Sequence, residues 1–325
     1  SSQARNWPDL MCSGVASMTV HPSRVASFIL ARSSMNPLPR VCRPPMCTPP
    51  WNSMANLISG QAASKRHLLD WWNLYSVRYG GRSARNGAAS KGISCDGNLT
   101  ISGGKLTAFT SQTALYEDND LSSCAGIKCD GNILITGGEI AIQSTGGAGK
   151  GINCDGSITI NDGTVKVITT GTQCVYGKLD SSAKGIKADG ALTINGGTVL
   201  VKATGGEGSE GIESKSVLTV NEGTVAALCY DDCMNASNSI VLNGGNIYCY
   251  SSGNDGIDSN GTLTITGGVI VSSGTTSPED GFDCDQNTFK ITGGIVLGIG
   301  GGTSTPTSSV CRSEEHTSEL QSRLQ

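Results

Sequence analysis

Between residues 88 and 311 the chain has no arginine, no histidine and no tryptophan, and one methionine, Met234. Without histidine or two paired C-x-x-C motifs, the usual zinc sites have no ligand set there. Without histidine or arginine, a lyase would have to take its base from lysine. No segment places apolar residues at helical spacing. The apolar run at 25–31 is too short to span a membrane and sits in the wrong place for a signal peptide.

The same span is acidic, with 11 Lys against 22 Asp plus Glu, a net charge of −11. All four Trp, all three His, every Arg and eight of the ten Pro lie in the flanks. Residues 1–87 have no sustained period and carry Pro-rich patches, and are expected to be disordered or mistranslated. Residues 312–325 read like the in-frame translation of a sequencing adapter, so His316 is expected to carry no function. The domain is therefore assigned to 88–311.

What fills that span is a repeat. A block (K/E/D)-G-I-x-C-D-G, then L-T-I-x-G-G, then T-V-x-V, begins at Lys91, Ala125, Lys150, Lys184, Glu210, Asp232, Asp255 and Asp280. The intervals run from 22 to 34 residues. Such a period marks a solenoid whose units bury their apolar sides only against neighbours. Within a unit, apolar and polar residues alternate with period two, giving short strands with one buried face. Asp-Gly and Asn-Gly-Gly between the strands supply sharp corners and positive φ. Three short strands with two tight corners and a variable third loop make one coil. The predicted fold is an all-β, right-handed parallel β-helix of about eight coils.

Coils stacked about 4.8 Å apart align equivalent residues in columns. One inward column is Ile93, Ile127, Ile152, Ile186, Ile212, Met234, Ile257, Phe282. A second, of small residues, is Cys95, Cys129, Cys154, Ala188, Ser214, Ala236 or its neighbour, Ser259, Cys284. Cys in that column reads as an ordinary small buried residue. Cys229, Cys233 and Cys249 read as inward too. Cys124 and Cys174, in the longer third loops, are the one candidate disulfide.

The residue before Gly-Ile changes along the chain. It is Lys91, Ala125, Lys150 and Lys184 in the early copies, then Glu210, Asp232, Asp255 and Asp280. Three residues on, the later copies carry Glu213, Asn235, Asp258 and Asp283. Asp231, Asn254 and Glu279 add oxygen donors. Carboxylates stacked at coil spacing repel unless neutralised. Calcium takes 6–8 oxygen ligands and resolves the repulsion. An oxygen-only set fits it better than zinc or copper. A solvated acidic edge is the alternative reading. Asp96, Asp130, Asp155, Asp189 and Asp285 form another column, assigned to turn chemistry with a second metal edge behind it.

Tyrosines mark where sugar could stack. Related longer loops each present one, Tyr116 and Tyr176, and Tyr248 and Tyr250 flank Cys249 on one strand. Outward aromatics on a rigid ladder suit sugar rings.

Residues 255–268 and their upstream copies resemble a family of bacterial carbohydrate-binding proteins. The resemblance covers about 88–311. It implies a parallel β-helix with a pectate-lyase-like shape, bound calcium, and binding of cellulose and acidic pectic glycans such as polygalacturonate. It further implies Asp231, Asp232, Asp255, Asp258, Asp280 and Asp283 as calcium ligands, with Asn235 departing from an acid. Members are exported, so a secreted or cell-surface location is expected. A non-catalytic, calcium-dependent polysaccharide binder is the favoured reading. A calcium-dependent polysaccharide lyase, with Lys215 beside Glu213 as its base, and an adhesion or scaffold protein remain open. Neither nucleic acid nor membrane insertion is expected, and the oligomeric state is open.

Overall fold

A computed structural model describes residues 87–311, and upstream of them only the backbone of Leu10–Cys12, Ala16–Thr19, Leu74–Arg78 and Gly81–Arg85. The expectations for the rest of 1–86 and for 312–325 lie outside the described residues. The repeat folds as expected into a parallel β-helix, and no helix occurs among the described residues.

Each coil contributes to three strand stacks. The first contains Lys91–Cys95, Ala125–Cys129, Lys150–Cys154, Lys184–Ala188, Ile212–Ser214, Met234–Ala236, Ile257–Ser259 and Phe282–Asp283. All pair in parallel, in sequence order. The second and third stacks share one large sheet, because three early coils run both strands together as Asn98–Thr110, Ile133–Ser144 and Ile158–Thr169. Later coils break at the Gly-Gly corner, as in Leu192–Ile194 followed by Thr198–Ala203.

The columns read from the sequence are in register. Ile93, Ile127, Ile152, Ile186, Ile212, Met234, Ile257 and Phe282 are Cα partners on successive coils. All are buried. Cys95, Cys129, Cys154, Ala188, Ser214, Ala236 and Ser259 follow in the adjacent inward column. A single core runs the length of the described coils. Cys229, Cys233 and Cys249 are buried as expected. Cys124 and Cys174 are free thiols and form no bridge.

The two corner types differ physically. At the corner that is x-Gly-Gly in most coils and Asn-Asp-Gly or Asn-Glu-Gly in two, the last glycine has positive φ in every coil, from Gly104 through Gly163 and Gly223 to Gly294. At the Asp-Gly corner the glycine is not in that region. Its requirement is close stacking: a Cβ on Gly131 would sit 2.6 Å from the Gly97 carbonyl. Positive φ is therefore needed at one corner, and absence of a side chain at both.

The x-Gly-Gly corner also carries a side-chain ladder. Asn195 Nδ2 donates to Asn161 Oδ1 at 2.8 Å, Asn221 to Asn195 at 2.7 Å, and Asn243 to Asn221 at 2.8 Å. Thr266 Oγ1 ends it with a bond to Asn243 at 2.8 Å. The short side-chain amide, one coil apart from the next, matches the strand spacing, so each donor meets the acceptor below it.

Candidate carbohydrate and cation faces

In the first stack the residue between the two inward positions must point outward. That column runs Ser94, Lys128, Asn153, Lys187, Glu213, Asn235, Asp258, Asp283. One face of the solenoid is thus basic over its early coils and acidic over its late ones. The halves meet at Lys187 and Glu213, which are register partners.

Glu210 and Glu213 belong to that junction. Lys184 Nζ lies 2.6 Å from Glu210 and 3.6 Å from Glu213, and Lys215 pairs with Glu213. Burial pushes the Glu210 carboxyl up to about 7, with Glu213 adding to the rise and Lys184 opposing it. Burial acts upward on Glu213 also, but Lys184 and Lys215 outweigh it and hold the carboxyl below its ordinary value. These two acids neutralise lysines and stand apart from the aspartates that converge further along.

Asp255, Asp258 and Asp283 do converge. One carboxylate oxygen from each lies within 4.8 Å of the others, and Asp255 is buried. Burial first, then Asp255 and Asp283, raise the Asp258 carboxyl to about 7. Asp255 rises to about 6, again chiefly by burial, while the Asp280 backbone N–H opposes the rise. Three carboxylates on two neighbouring coils therefore share one small volume at a cost in repulsion. Their donors are all oxygen, the set a hard cation takes. This cluster can hold a metal ion.

The remaining candidates surround the cluster with hydrogen bonds. Asn235 Nδ2 donates to Asp258 at 2.8 Å and to Asp232 at 3.0 Å, so this amide lies between two carboxylates. Asp232 accepts the Asp255 backbone N–H at 3.2 Å, and Asp255 accepts that of Asp280. Burial, with Asp258 and Asp231 adding to it, pushes Asp232 up to about 9. Asp231 binds the Gly208 N–H and the Asn254 amide, which pins two turns. Asp283 accepts from the Asp285 N–H and the Ser304 hydroxyl, both at 2.9 Å. Burial and the neighbouring Asp283 raise Asp280.

The tyrosines separate into two places. Tyr116 and Tyr176 are not independent platforms: their rings stack on each other with centroids 3.8 Å apart. Tyr248 and Tyr250 stand on the third stack with Cys249 turned inward between them. They are 46% and 54% exposed. Tyr248 is in register with Ala226 and Val271, and Tyr250 with Leu228 and Ser273. The face continues outward through Leu200 on one side and Leu297 on the other. It forms a shallow groove of about 610 Å³ around the two tyrosines. The sequence signal for it was available: apolar residues recur at the outward positions of T-V-x-V, where strand alternation calls for polar ones.

A family model described as a carbohydrate-binding domain-containing protein matches residues 79–173, 168–256 and 206–319. No curated protein matches. No solved structure matches either. Those three overlapping matches cover the described solenoid, and the chain belongs to the carbohydrate-binding domain-containing protein family.

Proposed function

We propose that this protein is a non-catalytic binder of acidic, plant cell-wall-type polysaccharide, polygalacturonate above all, and that it does so with calcium at Asp255, Asp258 and Asp283. The observation that carries the reading is the convergence of these three carboxylates on adjacent coils, with their oxygens within 4.8 Å. Family membership supports carbohydrate as the ligand class. The cation would supply positive charge where the protein offers only negative, and so a place for a uronate carboxylate. Asp280, on the coil of Asp283, would lend charge to the site, Asp232 as a neutral acid would hold the Asp255 backbone, and Asn235 would orient Asp258 through its amide. Tyr248 and Tyr250, on their flat apolar face, would stack on sugar rings, cellulose included. A secreted or cell-surface location follows from such a ligand.

The lyase reading is weakened by Lys215, the base it would need. Burial lowers the Lys215 ammonium, but the bond to Glu213 and the charge of Glu210 outweigh it, and its pKa stands above the ordinary value. A lysine held protonated is a poor base. The test is retention of the full chain on polygalacturonate, with calcium and with chelator, while unsaturated uronate products are monitored. Retention that calcium strengthens, without products, is expected. Product formation makes the protein a lyase, and retention that calcium leaves unchanged removes the metal from the account.

A further inference from the structure

Of the domain's eleven lysines, six line one cleft of about 510 Å³: Lys91, Lys128, Lys150, Lys184, Lys187 and Lys215. The cleft lies over the basic coils of the first stack, at the opposite end of that face from the aspartate cluster. Its size falls in the range of about 300–1,000 Å³ typical of small-ligand sites. Two antiparallel hairpins wall it, Leu115–Glu117 with Asp120–Ser122 and Cys174–Tyr176 with Leu179–Ser181. The stacked Tyr116 and Tyr176 join their tips, and Ser123 Oγ meets Ser181 Oγ at 2.9 Å near their bases. The longer loops thus form one built wall over the sheet.

Lys150 and Lys184 are register partners on adjacent coils, an arrangement of like charges that destabilises unless countered. Most lysines here are countered. Lys184 meets Glu210, Lys215 meets Glu213, Lys128 lies between Asp130 and Asp155, and Lys187 pairs with Asp189. Lys91 is held by Ser122 and by the carbonyls of Ala89 and Ser123. Lys150 differs. It is 7% exposed, and its ammonium is held only by the hydroxyls of Ser123 at 2.9 Å and Ser181 at 2.7 Å. Among the described residues it makes no ion pair. A lysine ordinarily extends its ammonium into water; this one is kept under the hairpins with no carboxylate in ion-pair contact among the described residues. Beside it, Asn153 Oδ1 is buried in the cleft with no hydrogen-bond partner among the described residues. Asp155, Asp189 and Glu213, which also line the cleft, are taken up by lysines, and Asp120 and Asp180 are exposed on the hairpins.

We propose that this cleft binds the carboxylate of an acidic sugar residue directly, with Lys150 as its buried counter-charge and no metal ion. The carboxylate would complete the Lys150 ammonium, and a sugar hydroxyl would donate to Asn153 Oδ1; Tyr176, 55% exposed, stands at the tip of one walling hairpin. The proposal rests on the reading of the ligand as an acidic glycan, but not on the calcium site. It gives the solenoid two handles for one polyanion, one at each end of the same face.

Calorimetric titration of the full chain in chelator, with trigalacturonate and with a neutral galactose trimer, tests it. Trigalacturonate should bind, at least tenfold more weakly to Lys150→Met, and the neutral trimer should not. Absence of binding in chelator, or equal binding by Lys150→Met, overturns the proposal. Should Lys150→Met fail to fold in a thermal melt, Lys187→Gln at the cleft decides, with unchanged affinity overturning it. Sulfate displacing the trimer at equal concentration would make this a general oxyanion site and overturn the sugar assignment. Binding that needs calcium and ignores Lys150 keeps the aspartate site alone. Binding that calcium does not improve keeps the cleft and removes the aspartate site.

Discussion

Replacing Asp258 by Asn should stabilise the metal-free protein and destabilise it relative to wild type once calcium is present. The carboxyl of Asp258 is raised from 3.8 to about 7 by burial and by Asp255 and Asp283. A shift of that size corresponds to about 4 kcal/mol of cost when the group ionises, as an upper bound. The sign follows from the order of titration. The unfolded chain loses this proton near pH 4, the folded chain near 7, so stability falls across that interval and the full cost stands above it. Asparagine has no such cost and keeps the shape and an acceptor for the Asn235 amide. Discounting for relaxation and shared charge leaves about 1–4 kcal/mol, and each kcal/mol moves Tm by roughly 2–4 °C in a domain of this size. In chelator at pH 7.5 the variant should therefore melt at least ~2 °C above wild type. With calcium at about a thousand times its Kd, wild type gains about 4.1 kcal/mol and the variant little, so the order reverses. Thermal melts of both proteins with chelator and with calcium read this directly. A variant that melts lower in chelator and keeps the full calcium response would refute the reasoning.

Three more expectations test other parts of the molecule. Tyr248→Ala with Tyr250→Ala should lose retention on insoluble cellulose while keeping the calcium-induced rise in Tm, and unchanged retention would remove that face from sugar binding. Gly223→Ala should cost several degrees in Tm even though the residue lies at a surface corner, because its φ is 94° and a Cβ would meet the Gly197 carbonyl at 2.7 Å; a neutral effect would show that the corner can relax. Lys150 carries a pH signature: burial first, then Lys187 and Lys184, depress its ammonium from 10.5 to about 8. The unfolded chain takes up this proton first as pH falls, so stability should rise between about pH 8 and 10.5, by roughly 3 kcal/mol as an upper bound. Lys150→Met should flatten that rise in a series of chemical denaturation curves.

The solenoid was legible because stacking forces equivalent residues into columns, and columns leave periodic traces. Ile186 predicts Ile212 and Ile152 with no knowledge of the coordinates. The same logic located the late aspartates, since Asp255, Asp258 and Asp283 fall on two neighbouring columns. It could not show which of those acids face one another. Glu210 and Glu213 read as members of one ladder with the aspartates, yet Lys184 and Lys215 reach them from adjacent positions. Long flexible lysine side chains cross between columns, and repeat spacing does not record where they end. The hairpins posed a similar difficulty. Tyr116 and Tyr176 lie in loops two coils apart in sequence, and their stacking depends on how both loops lean, which no local pattern fixes. The asparagine ladder lay in plain view at the first position of the glycine corner, at Asn195, Asn221 and Asn243.

The central claim is that one cation is shared between the aspartate cluster and an acidic glycan. Linkage makes it measurable, because two ligands that assist each other must do so by the same factor. Calcium binding to the metal-free full chain should be titrated by calorimetry without and with saturating trigalacturonate. The account predicts tighter calcium binding with the sugar present, matched by an equal tightening of the sugar by calcium, and loss of both in Asp255→Asn with Asp258→Asn. Calcium affinity that is the same with and without trigalacturonate would contradict it.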